Sequence, residues 1–274
     1  MNQLTIEKRV QILGMLVEGM GVRATARLSG CSPVTILKFL KDMGETCARY
    51  QDETLRNLKC RRIQIDEIWS FVYAKAKNAP EKMKAAGEAG DMWVWVAIDA
   101  DSKLVPCFYM GQRNADAAMI LMQDLASRLS NRIQLTTDGH KAYLQAVESV
   151  FGADIDYAML IKLYGEAPEG TRRYSPAQIT GIETNVIMGH PNPKHVSTSF
   201  VERQNLTMRM NMRRFTRLTN GFSKKTENHY YTLAIHYMYY NFARVHQTLR
   251  VSPAMEAEIT NHLWSLEEIV NLLP

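Results

Sequence analysis

Three acidic residues lie at positions from which the fold could bring their side chains together to bind a shared metal ion. Asp66 lies within the alternating stretch RRIQIDEIWSFVYAK, where an acid suits a β-strand poorly and is costly to bury unless something binds it. Asp138 ends an apolar stretch and precedes Gly139, and α/β proteins often carry their chemistry at such strand ends. Glu202 stands at the head of a basic stretch. Carboxylates suit hard divalent cations, which can drive displacement at the phosphorus of a phosphodiester.

Each of these acids also has an ordinary interpretation. Asp66 could be an exposed acid on an edge strand, and Asp138 could belong to an Asp-Gly turn. Glu202 follows Ser199 by three residues, which is the spacing of a helix capping box. No single acid distinguishes the two interpretations. The predicted helices and strands that carry the three acids must therefore be considered together.

Basic residues are concentrated in two stretches, one up to Arg62 and one from Arg203 to Lys225. The chain has 33 Lys and Arg against 28 Asp and Glu, a net charge of +5, so the distribution matters more than the total. Such clustering is typical of nucleic-acid binding. On a helix, Glu202, Asn205, Arg209 and Arg213 would share one face. The DNA contacts predicted from the second stretch are Arg203, Arg209, Arg213, Arg214, Arg217, Lys224 and Lys225.

The first 48 residues predict three short helices, with Gly30 in a turn and Ser32-Pro33 starting the third. This pattern indicates a helix-turn-helix, whose third helix would offer Thr35, Lys38 and Lys41 to a DNA groove. A small helical bundle or a dimerisation cap would show the same periodicity.

Composition excludes several classes of protein. No apolar run is long enough to span a bilayer, and the N-terminal stretch lacks the apolar core of a signal peptide. The four cysteines lie far apart, which disfavours a zinc site or a disulfide framework and favours free thiols in the cytoplasm.

The order of predicted elements points to one α/β fold. After Arg61 the pattern predicts strand, strand, strand, helix, strand, helix, strand, helix, which is the order of a ribonuclease-H-like fold. In that fold, acids at the places of Asp66, Asp138 and Glu202 converge. We therefore predict an all-α helix-turn-helix domain (1–48), a connector (49–60), a catalytic domain with a mixed sheet and flanking helices (61–250), and short C-terminal helices (251–274). A Pro-rich segment at about 165–195 would form an inserted arm.

The same stretches resemble a known family. IDEIWSFV, TTDGHKAY, STSFVERQNLTMRMNMRRFTRLTNGFSKK and YYNFARVHQTLRVSPAME are similar to the catalytic core of DDE transposases of the insertion sequence 1 family, from roughly Arg61 to Glu256. The resemblance implies a bacterial, nucleoid-associated enzyme with Asp66, Asp138 and Glu202 as its acidic triad. It also implies two Mg²⁺ ions, replaceable by Mn²⁺, and a homodimer or higher oligomer on DNA. Such enzymes recognise terminal inverted repeats, cut at the element ends and join them to target DNA.

Two other classes of protein fit parts of the sequence. A helix-turn-helix regulator with an inactive ribonuclease-H-like domain would explain the N-terminal pattern but not three placed acids. A tyrosine recombinase is suggested by the Tyr-rich stretch with His246 and Arg250, but those two residues lie four apart instead of three. The sequence leaves open the repeat and target sequences, the pathway of transposition, the oligomeric state, the role of the arm and whether this copy is active.

Overall fold

One six-stranded sheet organises the structure. The computed structural model describes residues 4–165, 178–216 and 220–274. The strands are β1 (Arg62–Val72), β2 (Gly90–Asp99), β3 (Cys107–Gly111), β4 (Gln134–Thr137), β5 (Asp156–Tyr164) and β6 (Ile179–Met188). Their order is β3-β2-β1-β4-β5-β6; β4 runs parallel to both of its neighbours, and the other pairs are antiparallel. This arrangement confirms the predicted mixed sheet and is consistent with a ribonuclease-H-like fold.

Three helices precede the sheet: α1 (Ile6–Val17), α2 (Val22–Ser29) and α3 (Pro33–Thr54). Gly30 ends α2 in the left-handed conformation, and the Ser32 hydroxyl caps α3 by accepting from the Thr35 amide, as Ser-Pro predicts. The sequence predicted an all-α domain that ends at residue 48 and a connector at 49–60. The helix instead continues to Thr54, because a buried stripe along its second half packs on a later helix. Within that stripe, Gln51 donates to the Ala234 carbonyl over 3.0 Å.

Seven further helices follow within the described residues. They are α4 (Glu81–Ala85), α5 (Ala115–Arg128), α6 (Ala142–Phe151), α7 (Ser199–Asn211), α8 (Thr226–Met238), α9 (Pro253–Glu256) and α10 (Leu266–Val270). Four of them, α5 to α8, flank the sheet. On one face of the sheet, Ile65 and Trp95 pack with α5 and α6; on the other, Ile68 and Val96 pack with α7 and α8. Both faces of the central strands are therefore buried. No helix in the described ranges is long and apolar enough to cross a membrane.

The helix that contains the Tyr-rich stretch is interrupted. α8 ends at Met238, and Tyr239–Ala243 continue as a π-helical turn. Four of its apolar residues recur at helical spacing; Leu233, Tyr237 and Tyr240 are buried, whereas Tyr230 is 37% exposed. Near the C-terminus, Ser265 and Glu268 form a capping box at the start of α10, as their three-residue spacing indicates.

The predicted loop-rich arm at about 165–195 contains a strand that the sequence pattern did not reveal. β6 pairs antiparallel with β5, with Lys162 opposite Ile182 and Leu160 opposite Thr184. Almost every β6 residue is exposed, so its sequence carries no alternation of apolar and polar residues to announce a strand. Positions 166–177 of the arm lie outside the described residues.

Candidate active site

The pairing of two parallel strands brings Asp66 and Asp138 together. Ile65 of β1 lies opposite Thr137, the last residue of β4, so Asp66 and Asp138 are the next residues along the two chains. Neighbouring strands lie about 4.8 Å apart, which sets the separation of their side chains. Ligand oxygens of Asp66, Asp138 and the adjacent Glu67 all lie within 4.8 Å of one another. The backbone register therefore builds a cluster of three carboxylates.

Asp66 is held by two donors. Its Oδ1 accepts from the Glu67 amide over 2.8 Å, and its Oδ2 accepts from Asn205 Nδ2 of α7 over 2.9 Å. Burial and then the charge of Asp138 raise the pKa of Asp66 to about 6, against the lowering effect of these hydrogen bonds. The carboxylate is therefore fixed in position, but its ionised form is destabilised unless a cation lies beside it.

Glu67 is a site residue that the sequence did not single out. Its side chain is 1% exposed, the Tyr143 hydroxyl of α6 donates to its Oε1, and Arg113 Nε donates to its Oε2 over 3.1 Å. Burial raises the pKa of Glu67 to about 7. One signal was available: on β1, Glu67 falls between Ile65 and Trp69 on the strand's otherwise apolar face.

Arg113 links the carboxylates to each other. Its guanidinium lies 3.8 Å from Asp138 Oδ2 while it pairs with Glu67, and its central carbon lies 5.0 Å from the Trp93 ring centroid. Asp138 Oδ1 also accepts from the His140 amide over 2.9 Å. Arg113 follows β3 in a short polar connection, and no spacing in the sequence distinguished it.

Glu202 faces the same cleft, and the structure overturns its capping-box interpretation. α7 has Thr198 as its N-cap residue and begins at Ser199, whose hydroxyl lies 2.9 Å from Ser197 Oγ and does not cap the helix. Glu202 lies in the first turn of α7 as its fourth helical residue, one position later than a capping box requires. Its carboxylate accepts from Thr198 Oγ1 over 2.5 Å and from Lys162 Nζ of β5.

The three predicted acids Asp66, Asp138 and Glu202 line one open cleft of about 760 Å³. Glu202 is not part of the tight group of three carboxylates, and it forms an ion pair with Lys162. Four cations also line the cleft: Arg113, Lys141, Lys162 and Arg209. Acids at the centre and bases around them suit a ligand that combines metal ions with a polyanion.

The predicted basic face of α7 is shorter than expected. Glu202, Asn205 and Arg209 face the sheet edge and the cleft as the spacing indicates. Arg213 does not continue that row, because α7 ends at Asn211 and Arg213 starts a separate 3₁₀ turn in which it is exposed.

Other predicted DNA contacts differ in their surroundings. Arg214 points inward, where its Nη1 donates to Ser223 Oγ over 2.8 Å and to the Asn228 carbonyl over 3.0 Å. Burial lowers the pKa of Arg214 to about 10. Arg217 lies outside the described residues. The side chains exposed at the surface are Arg203, Lys224 and Lys225.

The predicted contacts on α3 lie near its start. Thr35 is half-buried, with its hydroxyl 2.9 Å from Ser32 Oγ. Lys38 and Lys41 are exposed, and Lys41 Nζ lies 3.7 Å from Glu45. The buried side of the helix points the opposite way, so the lysines face solvent.

No family model matches the chain, and neither does any curated protein. Among solved structures, the chain is similar to a piggyBac transposase synaptic complex with hairpin DNA: 10% identity, TM-score 0.47, with 99% of this chain and 71% of that chain covered. A Mos1 transposase paired-end complex gives 11% identity, TM-score 0.25 and coverages of 57% and 60%. A Mos1 strand transfer complex gives 12% identity, TM-score 0.26 and coverages of 86% and 76%. At these values the likeness does not establish the family or the activity of this chain.

Proposed function

We propose that the protein is a metal-dependent DNA transposase that cuts DNA strands at the ends of a mobile element and joins them to target DNA. The observation that carries the proposal is the parallel register of β1 and β4, which sets Asp66 beside Asp138 in an open cleft that Glu202 also lines. The sequence resemblance to insertion sequence 1 transposases agrees with these three residues. It also suggests a bacterial, nucleoid-associated protein.

The donor set fits divalent metal ions. Asp66 and Asp138 would hold them, with Glu202 as the third carboxylate and Glu67 within 4.8 Å of the first two. The raised pKa of Asp66 shows that its ionised form is destabilised in this cluster, and bound Mg²⁺ or Mn²⁺ would stabilise the ionised carboxylates. When bound, two such ions would stabilise the attacking and leaving oxygens at phosphorus. Glu202 would have to exchange Lys162 for a metal ion to take its part.

The surrounding residues would bind and orient the DNA. Asn205 and the Glu67 amide fix the Asp66 carboxylate, and Arg113 fixes Glu67 and Asp138. Lys162 and Arg209 line the cleft, where they can neutralise phosphate charge. Arg113, Lys162 and Arg209 already line the cleft, and Asn205 contacts it through Asp66.

Recognition of the element ends is proposed for the N-terminal helices. α2, the turn at Gly30 and α3 would form a helix-turn-helix that presents Lys38 and Lys41 to a groove. Exposed Arg203, Lys224 and Lys225 would contact the backbone of end or target DNA. Two copies of the chain on paired ends would form the working complex.

The test is a comparison of cleavage with binding. Asp66→Asn and Asp138→Asn should each abolish Mg²⁺-dependent strand cleavage and joining of an element-end substrate, because each removes an anionic ligand. DNA affinity should stay close to that of the wild type, because the basic contacts persist. Asp154→Asn, at an acid whose side chain is 81% exposed, is the matched control and should remain active.

Two results would contradict the proposal in different ways. Wild-type cleavage rates in either Asn variant would remove the metal-site assignment. Specific DNA binding without Mg²⁺-dependent cleavage by the wild type would favour the other candidate, a helix-turn-helix regulator with an inactive ribonuclease-H-like domain.

A further inference from the structure

A row of aromatic rings leads away from the carboxylate cluster toward the end of β1 and the start of β2. We call this row the aromatic strip; it consists of Trp69, Phe71, Tyr73, Trp93 and Phe222. Trp69 and Phe71 ring centroids lie 5.8 Å apart, and those of Phe71 and Phe222 lie 4.9 Å apart. The residues come from β1 and the residue that follows it, from β2 and from the segment before α8, so one surface gathers three parts of the chain.

Strand geometry explains how the strip meets the cleft. Trp69 follows Glu67 by two residues on β1 and so lies on the same face of the sheet, and Trp93 of β2 is directly opposite Trp69. Further in, α6 covers this face, with the Tyr143 ring 5.4 Å from that of Trp95. Trp69 and Trp93 are only half-buried. The aromatic side chains on this face therefore become accessible to solvent directly beyond Glu67.

Cations lie over these rings. Lys75 Nζ is 5.5 Å from the Trp69 ring centroid and 5.8 Å from that of Phe71, and Lys224 Nζ is 4.2 Å from that of Phe222. Within the described ranges, the only other cation–ring pair outside the strip is Lys103 over Phe200. Such pairs are ordinarily scattered, about one per 70–80 residues. Their concentration here marks a surface where positive charge and flat apolar rings alternate.

Arg113 joins this surface to the candidate active site. The same guanidinium lies over Trp93 and pairs with Glu67 and Asp138. At the far end, Tyr73 adopts a φ of 63°, which is uncommon for a bulky residue, and its amide donates to the Ser223 carbonyl over 2.8 Å. That bond holds the turn while the Tyr73 ring remains 41% exposed.

We propose that the aromatic strip binds unpaired DNA bases beside the cleft. Bases would stack on Trp69 and Trp93, while Lys75, Lys224 and Arg113 would take the phosphates between them. A paired duplex keeps its base faces stacked inside and cannot offer them to the rings. The strip would therefore hold a single strand or a frayed end where cleavage and joining occur. The inference extends the proposed function, but the binding it describes can be measured without catalysis.

The experiment uses the full chain in EDTA, where no cleavage occurs. A labelled oligothymidylate of about 15 nucleotides, close to the site sizes of single-strand grooves, is titrated and followed by fluorescence anisotropy. A duplex of the same length is titrated in parallel. Trp69→Leu should weaken oligothymidylate binding about fivefold or more, as loss of one stacked base predicts, and duplex binding by less than about twofold.

Matched variants separate stacking from folding and from charge. Trp69→Phe keeps an aromatic ring and should bind the oligothymidylate within about twofold of the wild type. Lys75→Ala removes a half-buried lysine and should weaken oligothymidylate binding even if Trp69→Leu proves unstable in a thermal melt. Lys82→Ala, at an exposed lysine outside the strip, should leave binding unchanged.

Equal oligothymidylate binding by wild type, Trp69→Leu and Lys75→Ala would overturn the inference. So would a change in oligomeric state by light scattering with unchanged oligothymidylate binding, since the strip would then be a protein interface. A wild type that binds oligothymidylate through the strip but never cleaves DNA would leave the inference standing and remove the transposase proposal.

Discussion

The Asp66 carboxylate shows how a single residue can be well positioned and still cost stability. Two hydrogen bonds fix its oxygens, but burial and the neighbouring Asp138 raise its pKa from 3.8 to about 6. Between these two values the folded protein holds a proton that the unfolded chain releases. The free energy of unfolding therefore falls as the pH rises through this window, and the loss is complete above the folded pKa.

Removing that charge should stabilise the metal-free protein at high pH. In EDTA at pH 8 we expect the free energy of unfolding of Asp66→Asn to exceed that of the wild type by about 1–2 kcal/mol. The gain is less than the full electrostatic effect, because Asn has only one acceptor for the two donors. Below about pH 4 the difference should vanish, and thermal melts across this range measure it. Saturating Mg²⁺ should stabilise the wild type and not the variant; a variant less stable at pH 8 would contradict the cause assigned to the shift.

Glu202 gives a second test at the scale of one side chain. Glu202→Gln keeps an oxygen for the Thr198 hydroxyl and loses only a partly exposed ion pair with Lys162. The free energy of unfolding of this variant should therefore lie within about 1 kcal/mol of that of the wild type. The variant should lose Mg²⁺-dependent cleavage, because a hard cation loses an anionic ligand. Ser199→Ala should stay both stable and active, since Ser199 does not cap α7.

The measurement is a thermal melt paired with a strand-transfer assay on both variants. If Glu202→Gln still cleaves, the third carboxylate is another residue, and Glu67 is placed to be it because its oxygen lies within 4.8 Å of Asp66 and Asp138. If Ser199→Ala melts well below the wild type, the N-terminus of α7 is held differently from the structure.

At the scale of elements, the crossing of α3 and α8 fixes the N-terminal helices to the sheet. Gly44 of α3 meets Tyr231 of α8 so closely that a Cβ built at Gly44 would lie 2.4 Å from Tyr231 Cβ and 2.7 Å from its Cα. On its other side, α8 packs Leu233 and Tyr237 against β1 and β2. The contact explains why α3 continues into the predicted connector, as far as Thr54.

Gly44→Ala should separate these helices. Its improved helix propensity, worth up to about 1 kcal/mol, is outweighed by overpacking against backbone, and we expect a net loss of about 1–3 kcal/mol in urea denaturation. Gly14→Ala is the matched control: its nearest neighbour is the flexible end of Leu266 at 3.4 Å, so it should be neutral or stabilising. Equal stability of the two variants would mean that α3 and α8 pack less closely.

The sequence predicted the elements whose patterns are local. The alternation of β1, the Ser-Pro start of α3 and the Ser265 capping box are each written in neighbouring residues, and each is found. β6 and the second half of α3 depend on contacts with residues distant in the sequence. The local sequence therefore shows no hydrophobic periodicity that would predict them. The same division holds in the site: Asp66 and Asp138 follow from strand placement, whereas Glu67, Arg113 and Lys162 enter through contacts between elements.

At the scale of the whole molecule, the N-terminal helices and the sheet share one apolar core. Met43 and Cys47 of α3 are buried in the same cluster as Ile65 and Ala234. A fragment ending near Arg62 would expose that side of α3, so DNA binding by the N-terminal helices is best measured in the full chain. The division into domains at residues 48 and 60 remains a prediction.

Lys38→Ala in the full chain tests whether α3 contacts DNA. Lys38 is exposed, whereas the neighbouring Phe39 is buried, so removal of the Lys38 side chain should leave the fold intact. If Lys38 pairs with one phosphate, affinity should fall for any sequence, and the slope of log affinity against log salt should shrink by about 0.9. If Lys38 instead binds a guanine edge, one position of the inverted repeat should lose about 1–3 kcal/mol of discrimination. Lys59→Ala, at an exposed lysine beyond α3, is the control. An unchanged salt slope with unchanged discrimination would place the recognition of element ends elsewhere, with the exposed basic residues near α7 and α8 as the next surface to test.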